Sequence, residues 1–226
     1  MGVRMGRRAF TLIELLVNMA IIAILMSLLF PVFVVAKNRV IGFTSMSNLR
    51  QIGMALNAYL DEAEGHFPKP YWAGEGDKMD DNKDGVVEWY EQLGLYVGDP
   101  RIFRSKSDPT DPRQYPCSYA DNSWFDYFIH ISSVPDPANT IYATERQYSY
   151  QKYFIEWWYW QTQWPPDPTQ TPAERAKKDI AHDRYNGSNN YLFVDGRVAF
   201  LRFPQTWSPR VLWYPDSFYE REGGEP

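Results

Sequence analysis

The sequence predicts an α+β chain: a long N-terminal helix, membrane-compatible in its first half and amphipathic in its second, packed on a small antiparallel β-sheet head with irregular loops. Three observations predict it. Residues 10–36 form an apolar run whose sole charge is Glu14. Met46, Leu49, Ile52, Leu56, Tyr59 and Ala63 follow at steps of three and four, the period of one helix face. Near the C-terminus, two β-favouring runs flank Asp195-Gly196 in YLFVDGRVAFLRF, a hairpin pattern.

Taken in order, the run from Phe10 to Ala36 would be roughly 40 Å long as a helix, against ~30 Å of bilayer hydrocarbon. It is too long for the apolar stretch of a secretory signal, and KNRVIGF after it lacks a small-residue cleavage site. A permanent anchor is expected. Arg4, Arg7 and Arg8 precede the run, whereas only Lys37 and Arg39 follow it closely. That asymmetry puts the N-terminus in the cytoplasm and the rest outside the cytoplasmic membrane. Glu14 is costly at depth unless something pairs with it. Residues 37–65 continue the helix as an amphipathic segment, with Gly65 as its C-terminal cap and Pro68 soon after. Pro31 should bend it.

The head, residues 66–226, is expected to hold a short helix within Val86–Val97. Strands are expected near Ser118–Ala120, Phe125–Ile131 and Thr140–Thr144, with a type I′ hairpin turn at Asp195-Gly196. Pro165–Pro172 reads as a loop, and the tail after Pro215 as poorly ordered.

RRAFTLIELLV resembles the prepilin signal of type IV pilins and pseudopilins. The resemblance implies a leader of residues 1–9, cut between Ala9 and Phe10 by prepilin peptidase, and methylation of the new N-terminus. It places Glu14 at the fifth mature position, where it would meet the Phe10 amine of a neighbouring subunit during assembly. It places Pro31 where many pilins carry a helix-kinking proline. Ala9 stands where the family more often has Gly, and Asn18 interrupts a stretch that is usually apolar. Loss of the leader arginines takes the formal charge from −5 to −8. SNLRQIGMALNAYL, WYEQLGLYV, IFRSKSDP, VPDPANTIYATE and NYLFVDGRVAF resemble blocks of pilin-like proteins with a C-terminal His-x9-Asp-Gly motif. Here Tyr185 occupies the histidine position, the nearest histidine is His182, and residues such as Ser105 stand where the family has cysteines.

Two head motifs carry chemistry. In DDNKDGVVEWYE, Asp80, Asn82 and Asp84 fall at positions 1, 3 and 5 of a calcium loop. Gly85 takes the turning position, Val86 offers a carbonyl at 7, and Glu88 and Glu91 fall at 9 and 12. A structural Ca2+ is expected; a solvated acidic turn capping the next helix is the alternative. The aromatic run Tyr153–Trp160, with Trp157, Trp158 and Trp160, and Trp164 beyond it, fits either packing in the core or between subunits, or stacking on a sugar.

Composition narrows the function. With 23 basic and 28 acidic residues, nothing electrostatic favours nucleic acid. Cys117 is the lone cysteine, so neither an intramolecular disulfide nor a thiolate zinc cage can form. No nucleotide fingerprint or nucleophile elbow occurs, and adjacent His182 and Asp183 make a poor catalytic dyad. The expected protein is not an enzyme but a structural subunit, partnered by prepilin peptidase, by copies of itself or other pilins, and by the membrane. The alternative is an anchored module that never polymerises and binds polysaccharide through its tryptophans.

Overall fold

The structure is a computed structural model that describes residues 11–74, 77, 79, 85–127, 129–155 and 171–213. It divides into two compact units, Met1–Val40 and Ile41–Pro226.

Helix α1 (Leu12–Glu62) begins in the first unit and ends in the second, passing through Pro31 without ending. Within the first unit every residue from Thr11 to Lys37 is exposed. It is the one helix among the described residues with the length and composition to cross a membrane.

In the second unit α1 buries Gly42, Ser45, Leu49, Ile52, Gly53, Ala55, Leu56 and Leu60, a three-and-four spacing that makes one stripe. The chain leaves the helix through Glu64 (φ 52°) and Gly65 (φ 85°), with Gly65 N donating to Leu60 O at 2.7 Å. Gly65 is needed twice, because a β-carbon there would also meet His130 Nε2 at 2.4 Å.

The stripe packs with a five-stranded sheet of order β5-β3-β4-β6-β7: β3 (Tyr119–Asn122), β4 (Ile141–Glu145), β5 (Phe154–Ile155), β6 (Ser188–Phe193) and β7 (Val198–Arg202). All its pairings are antiparallel except the short edge strand β5, which runs parallel to β3. A separate ribbon pairs β1 (Tyr71–Trp72) with β2 (Val86–Val87). Strands β3, β4 and β6 are buried along their whole length. A register shift between Ile141 and Ala143 is a bulge, which re-aims a side chain. The intervening Tyr142 packs with Phe67, Trp89 and Phe125.

Several local expectations need correction. The described residues of Phe125–Ile131 form no strand but enter two 3-10 turns, Phe125–Tyr127 and Ile131–Ser133. Phe125 is drawn into the core against Phe67, 4.4 Å away, and His130 Nδ1 accepts from Ser132 N at 3.0 Å to start the second turn. The short helix expected within Val86–Val97 is present as α2 (Trp89–Gly94), and Val86–Val87 before it pair with β1. The β6–β7 turn is not type I′. Phe193 N donates to Arg197 O and Gly196 N to Phe193 O, and among the described non-glycine residues only Glu64 and Asn186 have positive φ. The loop is therefore a three-residue turn with Gly196 (φ 85°) as its left-handed residue. Val194 N and Asp195 N instead serve Thr140 O and Pro137 O. Pro172, read as loop, opens α3 (Pro172–Ala176), with Thr171 Oγ1 accepting from Glu174 N at 3.2 Å.

Candidate functional site

At the start of α1, Thr11 and Glu14 close on each other. Thr11 N and Thr11 Oγ1 donate to Glu14 Oε2 at 2.9 and 2.8 Å, and Glu14 N donates to Thr11 Oγ1 at 3.3 Å. This is a capping box, which satisfies amide groups that the first turn cannot pair internally. The Thr-x-x-Glu spacing announces it, and reading Glu14 only as a charge in an apolar run overlooks it. Within the box Leu12 is 76% exposed, and beyond it Phe30 and Leu28 are 70% and 68% exposed. An apolar surface of that extent marks an interaction site. Ala9 and Phe10 lie outside the described residues.

The second assembly of note sits between α1 and the sheet. Glu145, fully buried at the end of β4, pairs with Arg184 Nη1 at 2.7 Å. Tyr185 Oη donates to Glu145 Oε1 at 2.8 Å, and Ser45 of α1 donates to the same oxygen. Ser107 Oγ donates to Oε2 at 3.2 Å, and Ser105 Oγ lies 3.4 Å from Oε1. Tyr119 Oη and Ser45 Oγ are 3.3 Å apart. Burial, and then the charge of Glu145, push the Tyr185 hydroxyl up to about 12, so it stays a donor. The Tyr185 ring also lies 3.4 Å from where a Gly42 β-carbon would stand. Tyr185 thus ties β4, the 105–107 loop and α1 together. His182 takes no part; its ring meets Phe203 edge-on at 5.8 Å. In the sequence Tyr185 and Ser105 stand out only as substitutions, and Glu145 only as the last residue of the VPDPANTIYATE block.

Of the acidic loop, Asp80, Asn82 and Asp84 lie outside the described residues. Gly85 has φ 88°, the left-handed backbone that a turning glycine supplies. Ala73 N donates to its carbonyl at 2.9 Å, and Trp72 registers with Val86. Glu88 and Glu91 are buried at the start of α2, with Glu88 N donating to Glu91 Oε2 at 2.8 Å. The oxygen-rich set of residue types suits a hard cation. Among the described residues no three His, Cys, Asp or Glu side chains are grouped to hold a metal.

The aromatic run begins inside the core. Tyr153 is 6% exposed, its carbonyl accepts from Trp89 Nε1 at 2.7 Å, and Ile155 is fully buried. Trp157, Trp158, Trp160 and Trp164 lie outside the described residues.

Residues 4–30 match the prokaryotic N-terminal methylation motif. No curated protein and no solved structure matches the chain. The matched span covers the segment before the helix, the Thr11–Glu14 box and the exposed apolar helix as far as Phe30. By that motif and that helix, the N-terminal segment of the chain is similar to the methylated N-terminus of pilin-like proteins.

Proposed function

We propose that the chain is a pilin or pseudopilin subunit, cut by prepilin peptidase between Ala9 and Phe10, methylated on Phe10 and assembled with copies of itself or other pilins. One observation carries this reading: the methylation motif at residues 4–30 coincides with an apolar helix that the chain itself leaves uncovered. Before assembly, the cytoplasmic membrane covers it, with Arg4, Arg7 and Arg8 inside and the head outside. In a filament, neighbouring helices replace lipid, and Glu14 meets the Phe10 amine of the next subunit, a charge pair favoured by low-dielectric surroundings. The head is of the His-x9-Asp-Gly type, with Tyr185 in the histidine's place, and contributes structure rather than catalysis. Its acidic loop holds Ca2+ through Asp80, Asn82, Asp84, the Val86 carbonyl, Glu88 and Glu91; the positive φ of Gly85 supports this. The ion would hold the loop together rather than react.

Mass spectrometry of the N-terminal peptide from the membrane fraction tests the reading. The expected product begins at Phe10 and carries one added methyl group. A chain still beginning at Met1 overturns the processing step and leaves an anchored, unprocessed protein.

A further inference from the structure

Two carboxyl groups meet in the head. Asp121 of β3 is fully buried, and among the described residues no other residue donates a hydrogen bond to either of its carboxyl oxygens; the same holds for Asp126 Oδ1. Yet the Asp121 and Asp126 carboxyl groups lie within hydrogen-bonding reach of one another. The chain forces this encounter. After β3, Asn122 Oδ1 accepts from Trp124 N at 3.2 Å and Ser123 O accepts from Asp126 N at 3.1 Å. Phe125 is fully buried and Trp124 is 8% exposed, which anchors the turn against the core, with Asp126 half-buried beside them.

Ionised carboxylates are acceptors only, so their contact becomes a hydrogen bond only when one carries a proton. Among the described residues the charge that bears most on the pair is negative, while Arg146 and Arg104 act on the neighbouring Cys117. Glu88, at the start of α2, acts on it through its own negative charge. Tyr142 of β4, whose buried hydroxyl also lacks a partner, and Cys117 before β3 are neutral, their protons held by burial. From α1, Tyr59 reaches the Tyr142 side of the cluster, and it too is neutral. Among the described residues no three such side chains are grouped to hold a metal, and a proton on one carboxyl would relieve the repulsion between the two.

We propose that Asp121 and Asp126 share one proton in the folded head, and that this acid–carboxylate hydrogen bond holds the Ser123–Tyr127 turn against β3, so that the head loosens as pH rises. Burial pushes the Asp126 carboxyl up to about 8 and Asp121 well upward; the titration belongs to the pair. In the unfolded chain both carboxyls ionise near 4. Between about 4 and the folded value of about 8, the folded pair keeps a proton that the unfolded chain has released. Stability therefore falls with rising pH across that window and levels off above it.

The test is the head's melting temperature in the detergent-solubilised full chain between pH 5 and 8, in EDTA, for wild type, Asp121→Asn and Asp126→Asn. The wild type should lose several degrees over the window. Each amide variant, with a built-in donor, should show a shallower slope and close the gap to wild type as pH rises. Parallel profiles overturn the proposal, as does a wild-type slope that added Ca2+ abolishes, which would put a cation between the carboxylates. Should the variants fail to fold, infrared difference spectra of the wild type between pH 6 and 9 decide: the band of a protonated carboxyl lost over that range supports the shared proton, and no such band overturns it.

Discussion

Gly53 of α1 lies against Gly196 at the tip of the β6–β7 hairpin, backbone to backbone. A β-carbon at Gly53 would stand 3.2 Å from the Gly196 carbonyl oxygen, 3.3 Å from its Cα and 2.9 Å from Leu192 Cδ1. A β-carbon at Gly196 would stand 3.1 Å from Asn57 Nδ2 and sit at φ 85°. Two glycines thus let the helix seat directly on the hairpin. Gly53→Ala should destabilise the head by about 1–3 kcal/mol through overpacking, despite alanine's better helix propensity. That is a fall of about 2–4 °C per kcal/mol in a thermal melt. Gly94→Ala, which meets open space, should be neutral or slightly stabilising in the same melt.

The Glu145 cluster should respond unequally to its members. Tyr185→Phe removes one donor from a carboxylate that keeps Arg184 and the serines, and should cost about 1–3 kcal/mol. Arg184→Met leaves a fully buried carboxylate without its cation and should cost about 3–5 kcal/mol. Chemical denaturation of the full chain in detergent gives the ranking. Equal losses would mean that the hydroxyl matters as much as the charge.

Glu14 holds two roles that a single substitution confounds. Glu14→Ala removes both the cap on Thr11 and the charge, whereas Glu14→Gln can still accept from Thr11 N and removes only the charge. Both variants should be cleaved by prepilin peptidase, and both should enter sheared filaments several-fold less well than wild type. Normal incorporation of Glu14→Gln would assign Glu14 to capping alone.

If the acidic loop holds Ca2+, Asp80→Ala with Asp84→Ala should lower the head's melting temperature in millimolar Ca2+ and leave it unchanged in EDTA. The same loss in both buffers would make the loop an acidic turn that caps α2.

Much of the chain was legible from local signals. The apolar run, the three-and-four stripe, Gly65 and the β6–β7 pair declare themselves because helix and strand periods are written in consecutive residues. The Thr11–Glu14 and Thr171–Glu174 caps are equally local, each a Thr-x-x-Glu spacing at a helix start. Phe125–Ile131 misled for a physical reason: its aromatic residues favour strands, yet Phe125 serves the core by turning toward Phe67 and Tyr142.

By itself, then, the sequence determined that a long helix with an unpaired apolar half precedes a β-rich head, since hydrophobic pattern and length suffice for that. Only the tertiary structure decided that Tyr185 meets Glu145, that Gly53 meets Gly196, and that Asp121 faces Asp126. Glu145 ends β4 and Tyr185 lies in the turn before β6, 40 residues apart, and Gly53 and Gly196 come from opposite parts of the chain. Asp121 and Asp126 are close in sequence, but whether five residues form a strand or fold back depends on where Trp124 and Phe125 find a core. Such contacts follow from burial and packing among distant segments, which no local pattern encodes.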